Sequence, residues 1–347
     1  MDHYLSEARL GKWTEDYGRL LANYKKVMEL DPQNREAAEE ISAARDFLRP
    51  ALKPQFAFYG DSEGLSIDSY GTSFEFYPSA STKLNFQYGY HRFSQDGRSA
   101  DKNSFSGKIN HRISSQLSGG LFYEYNDYDG APDSQTFQGD LYYQVTGSTG
   151  LYFAYSRHNL LDVEDPFSIY GWNIIGDIDA IFEDIHTNDY TATVIHRFSD
   201  RLRYLGSFTF GDYSDGNEKK TAFNELDWIF WKPQTAEETE WHLKYSYFLL
   251  DYSDDSPFYW SPNFFDNHSL ILQVKGNISR KLFFMVESGV SISPDSSGLG
   301  YRGVAKLEYR INKDWSVEGS AFYFSEEQEE RDSYWARKFT AAIKCRF

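Results

Sequence analysis

The sequence predicts an all-β transmembrane barrel of sixteen antiparallel strands, preceded by a short N-terminal α-helical segment. From Gln55 onward, apolar and polar residues alternate with a period of two, which indicates strands with one apolar and one polar face. The 347 residues are 18% aromatic although the mean hydropathy is -0.62, and barrels use aromatic rings at both membrane interfaces. No stretch approaches the roughly 20 apolar residues of a membrane-spanning helix.

The composition argues against several classes of function. The net charge of -17 disfavours a nucleic-acid partner, because nucleic acids require a basic patch. The single cysteine, Cys345, excludes an internal disulfide and any metal site built from several cysteines. The first ten residues, MDHYLSEARL, lack the apolar core of a signal peptide. Because an exported barrel needs such a signal, we expect that sequence upstream of these residues was removed or is missing.

Residues 3 to 48 are predicted to be helical, because apolar and aromatic residues recur at helical spacing between Leu5 and Met28. Arg49-Pro50 ends the helical part, since proline cannot continue a helix and restricts the residue before it. The predicted domains are therefore a helical segment, 1–52, and the barrel, 53–347.

The helical segment resembles a tetratricopeptide repeat in its Asp31-Pro32-Gln33-Asn34 and in the following Ala37-Ala38, which would begin the next helix. A single repeat cannot bury its own apolar face. Two roles stay open at this point: a two-helix cap or plug of the barrel, or the last repeat of a longer array.

Sixteen strands are predicted from the alternation. They cover residues 55–62, 68–77, 83–94, 103–113, 117–128, 135–146, 150–160, 188–198, 202–214, 220–231, 240–253, 267–277, 281–293, 299–310, 315–325 and 333–347. Most have the ~9–11 residues that a tilted strand needs to cross a bilayer.

The last strand shows the two faces most clearly. Phe339, Ala341, Ile343 and Cys345 form its apolar row, and the alternate row carries Lys338, Thr340, Ala342, Lys344 and Arg346. Its end on Phe347 resembles the C-terminal sorting signal of bacterial outer-membrane barrels. To close a barrel, this strand must pair with residues 55–62.

The connections alternate between short turns and longer, acidic loops. Tight turns precede Leu117, Leu202, Leu282 and Trp315, whereas the long connections are residues 127–134, 161–188, 251–267 and 326–332. Outer-membrane barrels have short periplasmic turns and long outer loops. This rule places both termini, and with them the helices, in the periplasm.

Charged side chains on the polar faces are predicted to line the lumen. The acidic set is Asp61, Glu75, Glu124, Asp140, Glu225, Asp227, Glu287, Glu308 and Glu318, and the basic set is Lys108, Arg112, Arg197, Arg203, Lys244, Lys275, Arg302, Lys306, Arg310, Lys338, Lys344 and Arg346. One interpretation is a set of salt bridges that hold the barrel's shape. The other is a path with a basic entrance and an acidic exit that favours cationic or neutral sugar polymers.

No catalytic constellation is visible in the sequence. The parity of the strands turns His91, His158 and His242 inward, and His111 and His196 outward. No Ser, His and Asp lie together in sequence, although partners brought together by the fold are not visible at this stage. We expect neither an enzyme nor a metal or cofactor site.

The connection from Leu161 to Asn188 is too long for a simple hairpin loop. Its apolar centre, FSIYGWNIIGDIDAIFEDI, predicts a segment that folds inward or forms a short helix, and our hypothesis is a constriction or gate. Loop aromatics near the outer mouth could stack on sugars or pack the loops. These are Tyr170, Trp172, Tyr259, Trp260 and Phe264.

Two stretches resemble the outer-membrane exopolysaccharide exporters that join tetratricopeptide repeats to a sixteen-stranded C-terminal barrel, such as the poly-N-acetylglucosamine and cellulose exporters. One runs from Ile178-Asp179-Ala180-Ile181 through Asp189-Tyr190 to Phe198-Ser199-Asp200-Arg201. The other is Tyr259-Trp260-Ser261-Pro262-Asn263-Phe264-Phe265.

The resemblance implies an outer-membrane channel that exports an exopolysaccharide, for which the acidic loops favour a partly deacetylated amino-sugar polymer. It also implies periplasmic polysaccharide-modifying enzymes or a synthase complex as partners, besides membrane lipid. Two alternatives remain: a general diffusion porin, and a structural barrel that anchors a periplasmic partner through its N-terminal helices.

Overall fold

The computed structural model describes residues 1–13, 17–162, 176–232, 239–294, 298–328 and 331–347. Sixteen antiparallel strands form one closed barrel in which each strand pairs with its neighbours in sequence and β1 pairs with β16. The strands are β1 Ala51–Asp61, β2 Ser66–Ser79, β3 Thr82–Gln95, β4 Arg98–Arg112, β5 Leu117–Asp129, β6 Ser134–Gln144, β7 Thr149–Asn159, β8 His186–Arg197, β9 Leu202–Tyr213, β10 Glu218–Trp231, β11 Thr239–Tyr252, β12 Phe265–Ser279, β13 Leu282–Ile292, β14 Leu299–Arg310, β15 Trp315–Gln328 and β16 Arg331–Arg346.

All sixteen predicted strands are confirmed, but several of them begin or end at residues other than those predicted. The first strand begins at Ala51 rather than Gln55. The predicted long connections 127–134 and 326–332 are wrong. Only residues 130–133 separate β5 from β6, and β15 runs to Gln328 while β16 starts at Arg331. Glu326 was predicted to begin the second of these connections, but its side chain is buried and faces inward, and the residue pairs with Tyr334 of β16.

The predicted seam between the first and last strands is confirmed. Its register runs from Ala51 opposite Arg346 to Asp61 opposite Ala336. The Phe347 backbone N–H donates to the Pro50 carbonyl at 3.1 Å, and the ring of Phe347 stacks on Phe74 with 6.2 Å between centroids. Phe347 therefore adds a hydrogen bond and a ring contact to the seam between β1 and β16.

The two ends of the barrel differ in their connections. At the end that carries Ala51 and Arg346, here called the terminal end, neighbouring strands are joined mainly by short turns. At the opposite end, here called the loop end, Asp96 and Gly97 make a two-residue turn in which both residues have positive φ, as a type I′ hairpin requires. The long connection between β7 and β8 also lies at the loop end.

The outward face is apolar along the strands, and the inward face is polar. On β7, the outward Phe153 is 51% exposed, whereas Ser156 points inward beside Asp189 of β8. We predict that Phe153→Arg lowers the unfolding free energy by about 2–4 kcal/mol, because it puts a charge into hydrocarbon near mid-strand. Urea unfolding of the barrel in lipid vesicles measures this loss.

Ser156→Arg is the matched control for that substitution. It adds the same side chain to the same strand, but on the lumen side and next to a carboxylate. It should therefore lower the unfolding free energy only slightly. Equal losses from the two variants would contradict the assignment of the two faces.

Three helices precede the barrel: α1 Asp2–Trp13, α2 Tyr17–Leu30 and α3 Arg35–Phe47. Ala8, Leu20, Tyr24, Val27 and Ile41 form their shared core. Phe47 packs between Tyr17 of α2 and Tyr77 of β2, so the helices rest on the terminal end. No helix among the described residues is long and apolar enough to cross a bilayer.

The turn from α2 into α3 follows the sequence prediction. Asn34 caps α3, with its side-chain oxygen accepting from the Ala37 N–H at 3.0 Å. We predict that Asn34→Ala lowers the opening free energy of α3 by about 1 kcal/mol, because the cap hydrogen bond is lost. Hydrogen exchange of the α3 amides should then be faster, whereas the exposed neighbour change Gln33→Ala should leave it unchanged.

Candidate functional site: the lumen and its plug

Every charged residue predicted to line the lumen lies on the inward face. The register places them on one continuous wall, which also carries Lys53, Lys83, Lys102, Asp189, Lys219, Glu240 and Glu326. The inward parity of His91, His158 and His242 and the outward parity of His111 and His196 are confirmed as well. The roles of these residues in transport stay predictions.

Ion pairs join many of the wall residues across neighbouring strands. Glu287 of β13 is buried and binds Arg302 of β14 at 3.2 Å and Lys244 of β11 at 3.3 Å. Asp227 of β10 binds Arg203 at 2.9 Å and the fully buried His242 at 2.7 Å. These contacts agree with the interpretation in which salt bridges hold the barrel's shape.

The terminal end of the lumen has a surplus of basic groups. Glu75 is shared between Lys83 at 2.5 Å and Lys344 at 3.2 Å, and Glu318 pairs with Lys53. The inward basic residues near this end are Lys53, Lys83, Lys108, Arg112, Arg197, Arg203, Lys275, Lys306, Arg310, Lys344 and Arg346, against the acidic Glu75, Asp140, Asp227, Glu240, Glu308 and Glu318. Glu124 and Glu225 lie further along the wall.

The described parts of the β7–β8 connection fold into the loop end of the lumen. We call residues 160–162 and 176–185 the plug; they include the short helix α4, Asp179–Phe182. The plug residues Leu161, Ile178 and Ile181 are buried against wall side chains that include Tyr59 of β1 and Phe93 of β3. For residues 176–185 the predicted inward fold and short helix are confirmed, whereas residues 167–175 of the predicted segment lie outside the described residues. Gating stays a hypothesis.

One side of the plug is fixed by the Asp162 carboxylate, whose side chain is 0% exposed. Its Oδ1 accepts from Lys102 Nζ at 2.7 Å and from the Tyr128 hydroxyl at 2.5 Å. Its Oδ2 accepts from Asn126 Nδ2 at 2.9 Å and from Ser134 Oγ at 2.6 Å. Each oxygen thus has two donors, and all four donors are buried wall residues of β4, β5 and β6.

Further contacts hold the plug at both sides of the mouth. Gln95 of β3 accepts from the Ile178 N–H at 2.8 Å, and Arg98 of β4 pairs with Asp179. Half-way round the ring, the Asp177 N–H donates to the carbonyl of Phe258, in the β11–β12 loop, at 2.9 Å. The plug therefore crosses the mouth of the barrel.

Two of the predicted loop aromatics, Tyr259 and Trp260, pack beside this crossing. Tyr259 is buried, stacks on Tyr213 with 5.0 Å between centroids, and donates to Asp215 at 3.0 Å. Trp260 is partly buried against Phe265, whereas Phe264 is 53% exposed. Tyr170 and Trp172 lie outside the described residues.

The most densely bonded part of the site was missed by sequence reasoning. Lys102 was omitted because the fourth strand was predicted to start one residue after it, at 103, whereas β4 starts at Arg98. Asp162 gave only a weak signal, as an acidic residue just after a strand. Its four partners lie at inward-facing positions of β4, β5 and β6. Nothing in the sequence shows that a distant loop reaches them.

The histidines that face inward are held by neighbours on the wall. His91 lies between Ser69 Oγ at 2.8 Å and Ser104 Oγ at 3.1 Å. The outward His111 and His196 each contact a threonine hydroxyl at 2.9 Å, from Thr82 and Thr149. Among the described residues, no three His, Cys, Asp or Glu side chains are grouped to hold a metal ion.

Comparison with known proteins identifies the fold. No protein-family model matches the sequence. No characterised protein matches it in sequence either. Among solved structures, a bacterial polysaccharide outer membrane secretin superposes with a TM-score of 0.68 at 13% identity, covering 86% of this chain and 99% of that one. CdiB from Acinetobacter baumannii gives a TM-score of 0.51 at 10% identity, covering 85% of this chain and 60% of that one. The chain thus has the fold of outer-membrane barrels.

Proposed function

We propose that this chain is a bacterial outer-membrane channel that exports an exopolysaccharide from the periplasm to the cell surface. The observation that supports the proposal most is the plug, which folds into the loop end of a polar lumen and is bonded to opposite sides of the mouth. A general diffusion porin needs a lumen that stays open to small solutes, whereas an exporter must be closed when no polymer is passing. The fold shared with the polysaccharide secretin supports the same choice.

The wall chemistry suits a hydrated polymer. Amide, hydroxyl and charged side chains alternate along the inward faces, for example Asn85 and Gln87 on β3 and Thr191 and Thr193 on β8. Such groups can exchange hydrogen bonds with sugar hydroxyls, and passage requires binding that is weak and repeated. In this proposal the apolar outward face contacts membrane lipid, the three helices lie in the periplasm, and the chain has no enzymatic activity of its own.

The proposed orientation leaves the helices free to meet partners before the polymer enters. We propose that a synthase complex or polysaccharide-modifying enzymes dock on this side, as the resemblance to tetratricopeptide repeats implies. Proteinase added to intact cells should spare α1 to α3, and it should cut them only after the outer membrane is permeabilised.

Deleting the gene tests the export function. We expect surface polysaccharide to disappear while polymer accumulates in the periplasm, and a plasmid copy of the chain should restore secretion. Unchanged secretion together with slower uptake of small solutes would instead establish the diffusion porin. Unchanged secretion together with loss of a protein complex at the periplasmic face would establish a structural anchor.

A further inference from the structure

We infer that the four side chains that hold Asp162 form a carboxylate-binding site for the exported polymer, so that the polymer carries acidic sugars. The inference rests on the proposed export function. While the plug is in place, Asp162 occupies the site that a sugar carboxylate takes when the plug leaves. The partly deacetylated amino-sugar polymer, which the acidic loops favour, is the competing class and becomes an outcome of the test.

The site is built for a carboxylate. Lys102 and Tyr128 bond one oxygen and Asn126 and Ser134 bond the other, at 2.5 to 2.9 Å. A carboxylate has about four acceptor positions, and the four donors fill them. The donors belong to β4, β5 and β6, whose pairing with each other holds their backbones in place independently of the plug.

Opening the plug without a replacement for Asp162 is unfavourable. The Lys102 side chain is 4% exposed, and withdrawing Asp162 would remove the carboxylate that neutralises it. Once the plug has left, Lys102 faces the lumen without this partner, and a new carboxylate restores the charge-assisted hydrogen bonds. A ligand that brings its own carboxylate binds the open state better than the closed one, and it therefore shifts the population toward open.

The surroundings suit a sugar as well as its charge. Lys102 Nζ lies 5.7 Å from the ring centroids of both Phe93 and Tyr128, so aromatic faces adjoin the charged group. A cavity of about 20 Å³ next to the site is lined by Lys102, Leu161, His91 and the buried Lys338, among others. A polymer that displaces Leu161 would meet this second lysine.

The wall between the terminal end and the site is positively charged, which suits an acidic polymer. Basic residues outnumber acidic ones on the wall near the terminal end, as described above. A cleft lined by one sign of charge raises the local concentration of ligands of the opposite sign. A polyanion entering from the terminal end is therefore attracted before it reaches Lys102.

The experiment uses a full-length variant in which residues 161–184 are replaced by a short Gly/Ser turn, so that the wall site is permanently exposed. A short turn can join the strands, because Asn159 pairs with His186 and the Leu160 N–H reaches the Ile185 carbonyl at 3.0 Å. Oligogalacturonate, chitosan oligomers and neutral dextran oligomers of matched length are added at the terminal-end side of single pores in a planar bilayer. The concentration that blocks half of the current is measured for each.

We expect oligogalacturonate to block at concentrations about tenfold or more below those of dextran, since hydrogen bonds to charged groups contribute about 1.5–3 kcal/mol. In the same background, Lys102→Gln should raise the oligogalacturonate value about tenfold for the same reason. Lys219→Gln is the matched control, because Lys219 is also a wall lysine with little exposure, 13%, and is paired with an aspartate, Asp189. It should change the value by less than about twofold, as a distant site does.

Stronger block by chitosan than by oligogalacturonate would overturn the inference and favour the amino-sugar polymer. Equal block by all three oligomers, or no effect of Lys102→Gln, would also overturn it. The gene deletion separates this result from the export proposal. Lost secretion without a preference for oligogalacturonate refutes only the carboxylate site, whereas the preference together with unchanged secretion refutes export.

Discussion

Replacing residues 161–184 by a short turn is expected to convert a barrel of low conductance into a pore of high conductance. The plug crosses the mouth from the β3–β4 side to the β11–β12 loop, and its apolar side chains fill the lumen between them. Removing it leaves the wall intact, because the strand pairs β6–β7 and β7–β8 do not involve it. Single-channel recording in planar bilayers measures the change.

The same variant should make cells sensitive to large antibiotics that the outer membrane normally excludes. Replacing residues 113–116, which connect β4 and β5 at the terminal end, by Gly and Ser is the control and should leave conductance unchanged. The barrel's closure can be checked for both variants by its resistance to unfolding in detergent before heating. A folded plug deletion with unaltered conductance would refute the plug as the barrier.

Asp162→Asn is expected to produce the second largest effect, a shift of the plug toward its open position. The amide keeps the size of the side chain but removes the charge opposite Lys102, and leaving one partner of a buried ion pair alone costs about 3–5 kcal/mol. Since each ~1.4 kcal/mol is a factor of ten, the ratio of open to closed barrels should rise about a hundredfold or more. The fraction of time spent in the high-conductance state measures this ratio.

Asp189→Asn provides the comparison for that variant. Asp189 and Lys219 also form a direct ion pair, at 3.0 Å, but both belong to the wall, on β8 and β10. Losing this pair should lower the stability of the barrel without opening the mouth. If both substitutions raised the open time to the same extent, the plug would not be held by Asp162 in particular.

The strand pattern illustrates how far local chemistry reaches. Alternation along Phe339 to Phe347 assigned one row to lipid and one to the lumen, and the same rule placed Glu124, Glu287 and Lys338 inside, as found. The rule succeeds because a strand's side chains alternate strictly between two faces, so a single residue of known direction sets the whole strand. Strand ends were predicted less well. Residues 326–332 are acidic, and the pattern could not show that Glu326 accepts a hydrogen bond from Asn267, three strands away on the wall.

The contacts of the plug join residues that are far apart in the sequence, and no local pattern encodes such contacts. Asp162 is sixty residues from Lys102, and Asp177 meets Phe258 from half-way round the ring. An aspartate that follows a strand is usually a solvated loop residue. Only the folded chain shows that Asp162 is buried and that both of its carboxylate oxygens accept hydrogen bonds.

The sequence by itself therefore determined the barrel, the number of its strands and which side chains face the lumen, because these follow from a repeat of two residues. Only the tertiary structure decided how the β7–β8 connection is held in the mouth of the barrel and which donors receive Asp162. Hairpin pairing places β4, β5 and β6 side by side, but only the path of the β7–β8 connection carries Asp162 to the hydrogen-bond donors that the three strands offer together.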